Sequence, residues 1–296
     1  MRIFVTGATG VVGAAVCREA IRQGHHILAL RRALSVSPFT AKEEENIRWV
    51  YDDSYMKEIV YRYCPDVLIH FAWGSLDVGQ RDVQSAQLDN FYLSKRMFEL
   101  YPYKQIISAG SQAEYGYYTE RVNEDSELNP QTQYGKAKIK TCEWLKAYCE
   151  SKNIEWQWLR IFTIFGEGLR TGIIPFAIKQ CLSSATDLET TSGEQVYSFL
   201  YAPDFAKSMM KVLGTKGKSG IYNVSQPYCE YPIKDVLSRI KNLTKSNINI
   251  HFGALPYRDK QVMLMAGNTS KFENAFGTFP NTPFNDALIN VIESMR

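Results

Sequence analysis

The chain has 296 residues, 45% of them apolar and 22% charged, with a formal net charge of +3. That balance excludes a disordered or low-complexity protein and provides apolar material for one large domain or two closely joined ones. Lys and Arg are spread among the acids, with no run longer than the pair Arg31-Arg32, which argues against a nucleic-acid partner, and no apolar stretch reaches the roughly 18 residues of a membrane span.

The first element is an apolar run, Ile3-Phe4-Val5, that leads into Thr6-Gly7-Ala8-Thr9-Gly10-Val11-Val12-Gly13 and then an amphipathic stretch. This reads as a strand turning into a helix over three glycines. Glycine serves where the chain turns tightly and where backbone must approach a pyrophosphate, and the helix N-terminus offers free N–H groups and partial positive charge. A dinucleotide site at Gly7, Thr9, Gly10, Val11, Val12 and Gly13 is the expectation, although a glycine-rich strand-to-helix turn is also ordinary punctuation.

Further apolar runs follow at 26–30, 47–51, 67–72, 105–109 and 156–162, separated by stretches long enough for crossover helices. Rich in Val, Ile, Leu and Phe with little alternation, they predict a doubly wound parallel α/β sheet covered on both faces. Ligands in that architecture bind beyond the carboxyl ends of the strands. After residue 165 the rhythm breaks at Gly166, Gly168, Gly172 and Pro175, and shorter elements follow, with helices predicted over 176–182, 233–243 and 285–295. We assign residues 1–165 and about 194–222 to a dinucleotide-binding domain. Residues 166–193 and about 223–296 form a smaller, interwoven substrate-binding lobe.

Six scattered cysteines and four histidines show no metal-ligand spacing, so neither a metal nor disulfides are expected. The N-terminus enters a strand without a signal-peptide pattern, which predicts a cytoplasmic protein.

Tyr134 and Lys138 stand four residues apart on a helix predicted to run to about residue 150, so phenol and ammonium share one face. An unperturbed phenol has a pKa of about 10, and an adjacent cation lowers it towards a useful proton donor. Ser111 follows the fifth strand, placed to bind a carbonyl or hydroxyl oxygen, though a Ser there is also common turn chemistry.

Glycine turn, Ser and Tyr-x-x-x-Lys helix together resemble the extended short-chain dehydrogenase/reductases, in particular the branch of nucleotide-sugar epimerases and reductases. The resemblance extends through Asp66-Val67-Leu68-Ile69-His70-Phe71-Ala72, Leu159-Arg160-Ile161-Phe162-Thr163-Ile164-Phe165-Gly166, Gly193-Glu194-Gln195, Phe199-Leu200-Tyr201-Ala202-Pro203-Asp204 and Leu255-Pro256-Tyr257-Arg258. It implies a Rossmann fold with Tyr134 as general acid/base, Lys138 on the nicotinamide ribose and Ser111 on the substrate oxygen. It also implies Asp53 at the adenine, Phe71, Ala72 and Phe162 along the cofactor, Asn90 on the helix behind the site and Arg258 on the substrate diphosphate. Trp73, Gln112 and Tyr115 would line the substrate side, and the long helices bearing Asn90 and Tyr134 would form a homodimer.

Counting from the first glycine puts Arg31 at the end of the second strand, where NAD-preferring members carry an acid. Guanidinium groups of Arg31 and Arg32 suit a 2′-phosphate, so NADP is expected over NAD. NADP in turn favours net reduction by NADPH over an epimerase's closed cycle. Members of the family that dehydrate use a Thr-Asp-Glu triplet; Ser111, Gln112 and Ala113 stand in its place and offer no acid. Two positions depart from the family: Thr163 replaces a frequent Asn, and Tyr197 lies where an Arg is usual, which leaves Arg258 and Arg170 to meet the diphosphate. The expected activity is NADPH-dependent reduction of a keto group, C4 foremost, of a nucleotide-linked deoxy sugar for surface polysaccharide. The alternatives are an epimerase with tightly held NAD(P) and a non-catalytic NADP-binding sensor.

Overall fold

The computed structural model describes residues 1–77 and 79–296. In chain order its elements are β1 (Arg2–Thr6), α1 (Val11–Arg22), β2 (His26–Arg31), α2 (Ala41–Glu44), β3 (Ile47–Tyr51), α3 (Met56–Tyr63), β4 (Val67–His70), α4 (Gln84–Glu99), β5 (Gln105–Ser111), α5 (Gln133–Lys152), β6 (Glu155–Ile161) and β7 (Thr163–Phe165). There follow α6 (Ile173–Leu182), β8 (Asp187–Thr190), β9 (Val196–Tyr201), α7 (Ala202–Val212), β10 (Gly220–Val224), β11 (Glu230–Pro232), α8 (Ile233–Thr244), β12 (Asn249–Phe252), β13 (Leu264–Met265), α9 (Ser270–Phe276) and α10 (Phe284–Met295). Among the described residues, no helix is long and apolar enough to cross a membrane.

Seven parallel strands form the main sheet in the order β10-β6-β5-β4-β1-β2-β3, a doubly wound Rossmann topology with its reversal between β1 and β4. Alternation within each strand divides its side chains between two cores. Ile3, Val5, Ile69 and Ile107 face α1 and α7, with Phe205 and Met209, whereas Phe4, Leu68 and Ile106 face α4 and α5, with Phe98, Leu145 and Trp158. Both faces are therefore apolar, which is why the runs show little polar alternation.

The six predicted strands all lie in this sheet, and the seventh, β10, adds to its edge beside β6. Of segment 194–222, α7 and the start of β10 join the main sheet and its flank, while β9 pairs with β7, β11 and β13 in a second sheet. A separate core of Phe165, Ile178, Phe199, Val236, Leu237, Phe284 and Leu288 gathers α6, α8 and α10. Helix α8 shows the amphipathic spacing that builds it, burying Ile233, Val236, Leu237 and Ile240. Two strand ends differ from the sequence reading in ways that matter for the site. β4 stops at His70, because the Ala72 N–H turns to the Thr6 Oγ1 at 3.2 Å. β5 continues to Ser111, where Gly110 and Ser111 pair with Arg160 and Ile161.

Candidate active site

Gly7 leaves β1 at a φ of +77°, and a Cβ there would meet Ala72 N and the Phe71 carbonyl carbon at 2.7 Å. Only glycine lets this turn cross the exit of β4. A Cβ on Gly13 would stand 2.2 Å from the Gly7 carbonyl oxygen, so helix and turn touch backbone to backbone. Gly10 is different: its Cβ would meet only that same oxygen, at 3.4 Å, and room remains beside it. The Gly10 and Ala14 N–H groups bond to Gly7 O and Gly10 O, but those of Val11, Val12 and Gly13 meet no acceptor among the described residues. The first turn of α1 carries no acid and no side-chain cap. Free donors at the positive end of a helix, with open space above a glycine, fit a dinucleotide pyrophosphate.

A chain of buried hydrogen bonds ties this turn to α4. The Ala72 N–H donates to Thr6 Oγ1, which lies 2.8 Å from His70 Nδ1; His70 Nε2 lies 2.9 Å from Ser94 Oγ, and Ser94 donates to the Asn90 carbonyl. Donor bookkeeping along the chain makes Nε2 the protonated nitrogen, and burial holds the His70 pKa down to about 3, so this imidazole stays neutral. Asn90 accepts from the Gly74 N–H at 2.7 Å and donates to the Gly74 carbonyl. The indole N–H of Trp73 donates to Gln87 Oε1 at 2.9 Å. Asn90 and Gln87 thus hold the chain after β4 against α4.

Helix α5 begins at a Thr132 cap, whose hydroxyl accepts from the Gly135 N–H, and the Gln133 N–H donates to Asp82 on the short 3-10 turn Gln80–Asp82. That contact brings Arg81 over the Tyr134 ring, 5.3 Å from its centroid. Tyr134 and Lys138 share one face of α5, as their spacing predicts, and both are buried. Lys138 Nζ donates to the Ala109 carbonyl at 2.7 Å and sits under the Trp73 ring, 3.6 Å from its centroid.

This geometry corrects one expectation. The Tyr134 pKa is raised, not lowered: burial dominates, Glu114 adds to it, and the Ser111 side chain and Arg81 pull the other way without cancelling it. Lys138 does not supply the expected acidification, because its ammonium is turned to Ala109 and covered by Trp73. Burial pulls the lysine itself down to about 7, with Glu114 opposing. Between about pH 7 and about pH 9 the unfolded chain therefore keeps a proton that the folded chain has lost, so stability rises with pH, by up to about 1.4 kcal/mol per unit for one group. Chemical denaturation across that range should show the slope in the wild-type protein and its loss in Lys138→Met; equal slopes would contradict the burial of this charge.

Ser111 closes β5, its Oγ accepting from the Ala113 N–H at 3.2 Å. Beside it, Gln112 Oε1 lies 3.5 Å from the Tyr118 hydroxyl. Ser111, Gln112, Trp73, Tyr134 and Lys138 converge at the carboxyl ends of β4 and β5. Tyr115 and Phe162 do not join them at an open surface. Both are buried in one small cluster with Val122, and the Tyr115 hydroxyl donates to Asn223 Oδ1 at 2.6 Å and accepts from Arg160. Thr163 donates to the Met265 sulfur and Tyr197 accepts from Gln261. Arg258 is exposed and near enough to Tyr197 to act on its phenol; Arg170 is exposed in the loop before α6. Phe71 packs towards Phe205, and exposed Asp53 accepts the Tyr55 N–H. At the end of β2, Arg31 donates to the Ser35 carbonyl at 2.7 Å and lies over the Trp49 ring, while Arg32 is exposed. Arg81 and Glu114 were not singled out from the sequence, although Ser111-x-x-Glu114 matches a capping-box pattern.

Fold and glycine turn define a Rossmann protein with a Ser, Tyr and Lys cluster of the short-chain dehydrogenase type. The chain belongs to the NAD dependent epimerase/dehydratase family, whose sequence profile matches residues 3–225. It is 28% identical over 284 residues to a CDP-abequose synthase of Salmonella muenchen, covering 91% of this chain and 89% of the relative. It is 24% identical over 241 residues to a dTDP-4-dehydro-6-deoxyglucose reductase of Escherichia coli, covering 75% of each. A UDP-glucose 4-epimerase from Thermotoga maritima, solved with UDP-glucose, shares the fold at 17% identity, with a TM-score of 0.85 over 100% of this chain and 99% of the other.

Proposed function

We propose that the protein reduces a keto group, at C4, of a nucleotide-linked deoxy sugar with NADPH. The observation that carries this reading is the convergence of Ser111, Tyr134 and Lys138 beside the glycine turn with no free acid among them. Gln112 and Ala113 offer none, and the Glu114 carboxylate is buried against Arg160, which leaves no group to run an elimination. The CDP-abequose synthase and 4-dehydro-6-deoxyglucose reductase among the relatives support the sugar class.

NADPH, when bound, supplies the hydride. The chain's own residues do the rest. Val11, Val12 and Gly13 would offer N–H donors to the pyrophosphate, and Arg31 and Arg32 would meet the 2′-phosphate. Lys138 would hold the ribose. Ser111, whose oxygen already accepts from Ala113 and whose side chain bonds to the Tyr134 phenol, would turn its hydrogen to the substrate oxygen. Tyr134, kept protonated by its burial, donates the proton that completes the alcohol. Trp73, Gln112, Thr163 and Tyr197 line the sugar side, and Arg258 and Arg170 meet the diphosphate. Phe71, Ala72 and Asp53 would complete the cofactor side. We assign homodimer formation to the outer faces of α4 and α5.

Purified protein given nucleotide-linked 4-keto-6-deoxy sugars should oxidise NADPH in proportion to the alcohol formed. Isomers appearing without net oxidation would instead show an epimerase. Replacing Arg31 and Arg32 together by Ala should raise the KM for NADPH about tenfold and leave that for NADH within about twofold, because two charge-assisted contacts to the 2′-phosphate are lost. Equal effects on both cofactors would contradict the NADP assignment.

A further inference from the structure

Behind Ser111 lies a buried ion pair that the reaction as described does not use. The parallel register of β5 and β6 sets Ser108 beside Trp158 and Gly110 beside Arg160. Into that frame the turn Gln112–Glu114 returns Glu114, which is 0% exposed, against Arg160, which is 2% exposed. The carboxylate accepts from the Ser111 N–H at 2.8 Å, from the Trp158 indole N–H at 3.0 and 3.2 Å, and from Arg160 Nε at 2.7 Å. Arg160 donates onward to the Tyr115 hydroxyl and to the Glu124 carbonyl. Glycine at position 110 makes the arrangement possible, since a Cβ there would stand 2.3 Å from Trp158 Nε1 and 2.7 Å from Glu114 Oε1.

A buried ion pair is often matched or bettered in stability by apolar residues of the same volume. Stability is thus a poor reason for a charge in this place. What faces it supplies a better one. Glu114 acts on Tyr134 and on Lys138, raising the proton affinity of both, and also on Cys142 of α5. Also around the pair are Ser111 and Arg81, which act on the phenol in the opposite sense, the Ala109 carbonyl and the Trp73 and Trp158 rings beside the amine, and the neutral imidazole of His70 on β4, which the Lys138 charge reaches.

We propose that Glu114 is a positioning residue of this active site: with Arg160 as counter-ion, its buried carboxylate fixes Ser111 through the backbone and places a negative charge behind Tyr134 and Lys138, where it opposes the loss of a proton from either. The proposal rests on the roles given above to Tyr134 and Lys138. Without that charge, burial would push Lys138 further towards the neutral amine, and burial alone would be left to oppose Ser111 and Arg81 at the phenol.

The direct test needs no substrate. In the cofactor-free protein with lysine side chains labelled at the ε carbon, an NMR titration, with Lys138→Met to assign the signal, reads the lysine midpoint. It should lie at about 7 in the wild-type protein and fall by about half a unit or more in Glu114→Gln. The double variant Glu114→Gln/Arg160→Met leaves no unpaired buried charge, so it guards against a folding failure and should show the same fall. Arg160→Met alone keeps the carboxylate and should not lower the midpoint. In turnover, the Glu114 variants should lose about tenfold in kcat with KM within about twofold, and the alkaline limb of the pH profile should move down. A Lys138 midpoint unmoved by Glu114→Gln and by the double variant would overturn the proposal, even where wild-type turnover confirms the reductase. A wild-type protein inactive on every keto sugar would instead sink the reductase reading, while the titration still decides the part played by Glu114.

Discussion

Tyr134→Phe should lower kcat by about three orders of magnitude while leaving the dissociation constant for NADPH within about twofold. The substitution removes one oxygen from a ring that is otherwise held by its surroundings: Trp73 meets it edge-on at 5.8 Å and Arg81 covers its face. The shape of the site therefore persists, and so do the glycine turn and the Lys138 ammonium. What goes is the proton donor. Ser111 cannot replace it, because a hydroxyl is a far weaker acid and its oxygen is already engaged by the Ala113 N–H. Fluorescence titration with NADPH and steady-state turnover on the same preparation separate the two effects. A variant that keeps a tenth or more of wild-type kcat would show that the proton comes from elsewhere.

Gly13→Ala should abolish dinucleotide binding, by about a hundredfold or more, and destabilise the fold as well, by about 1–3 kcal/mol as overpacking does. The added methyl would fall 2.2 Å from Gly7 O, 2.7 Å from Gly7 C and 2.9 Å from the Ala8 Cα. All three are backbone atoms at the start of a sheet strand's exit turn, so none can swing aside. Helix α1 must back away, carrying the unpaired N–H groups of Val11, Val12 and Gly13 with it. Gly10→Ala is the matched control. Its methyl meets nothing in the protein closer than 3.4 Å, so folding should survive while the space left for a pyrophosphate is filled. Thermal unfolding should fall for Gly13→Ala alone, and binding should fall for both. Wild-type affinity in Gly10→Ala would show that the open side of the turn is not where the dinucleotide lies.

The parts of this architecture that were legible in the sequence are those encoded within a few residues. Three glycines at fixed spacing state a strand-turn-helix, and a four-residue separation puts Tyr134 and Lys138 on one face of a helix. The apolar runs state buried parallel strands. The direction in which Lys138 points was not legible, since the Ala109 carbonyl that captures it lies 29 residues away and the Trp73 ring that covers it comes from beyond another strand. For the same reason the sequence reading acidified Tyr134, where burial does the opposite. Glu114 and Arg160 meet only through the pairing of β5 with β6, and Arg81 reaches Tyr134 only because Asp82 caps α5. The seventh strand, Gly220–Val224, carries Tyr222 and Asn223 among its apolar residues, which disguised it. Strands of two to four residues in the smaller lobe, such as β13 and β8, are too short for any periodicity to show.

One measurement bears most directly on the reductase assignment: the fate of deuterium from NADPH labelled on the nicotinamide ring, after incubation with a nucleotide-linked 4-keto-6-deoxy sugar. The account predicts one deuterium at the former keto carbon for each NADPH oxidised, in a single configuration. Sugar isomers that carry no label, formed while NADPH is left intact, would contradict it.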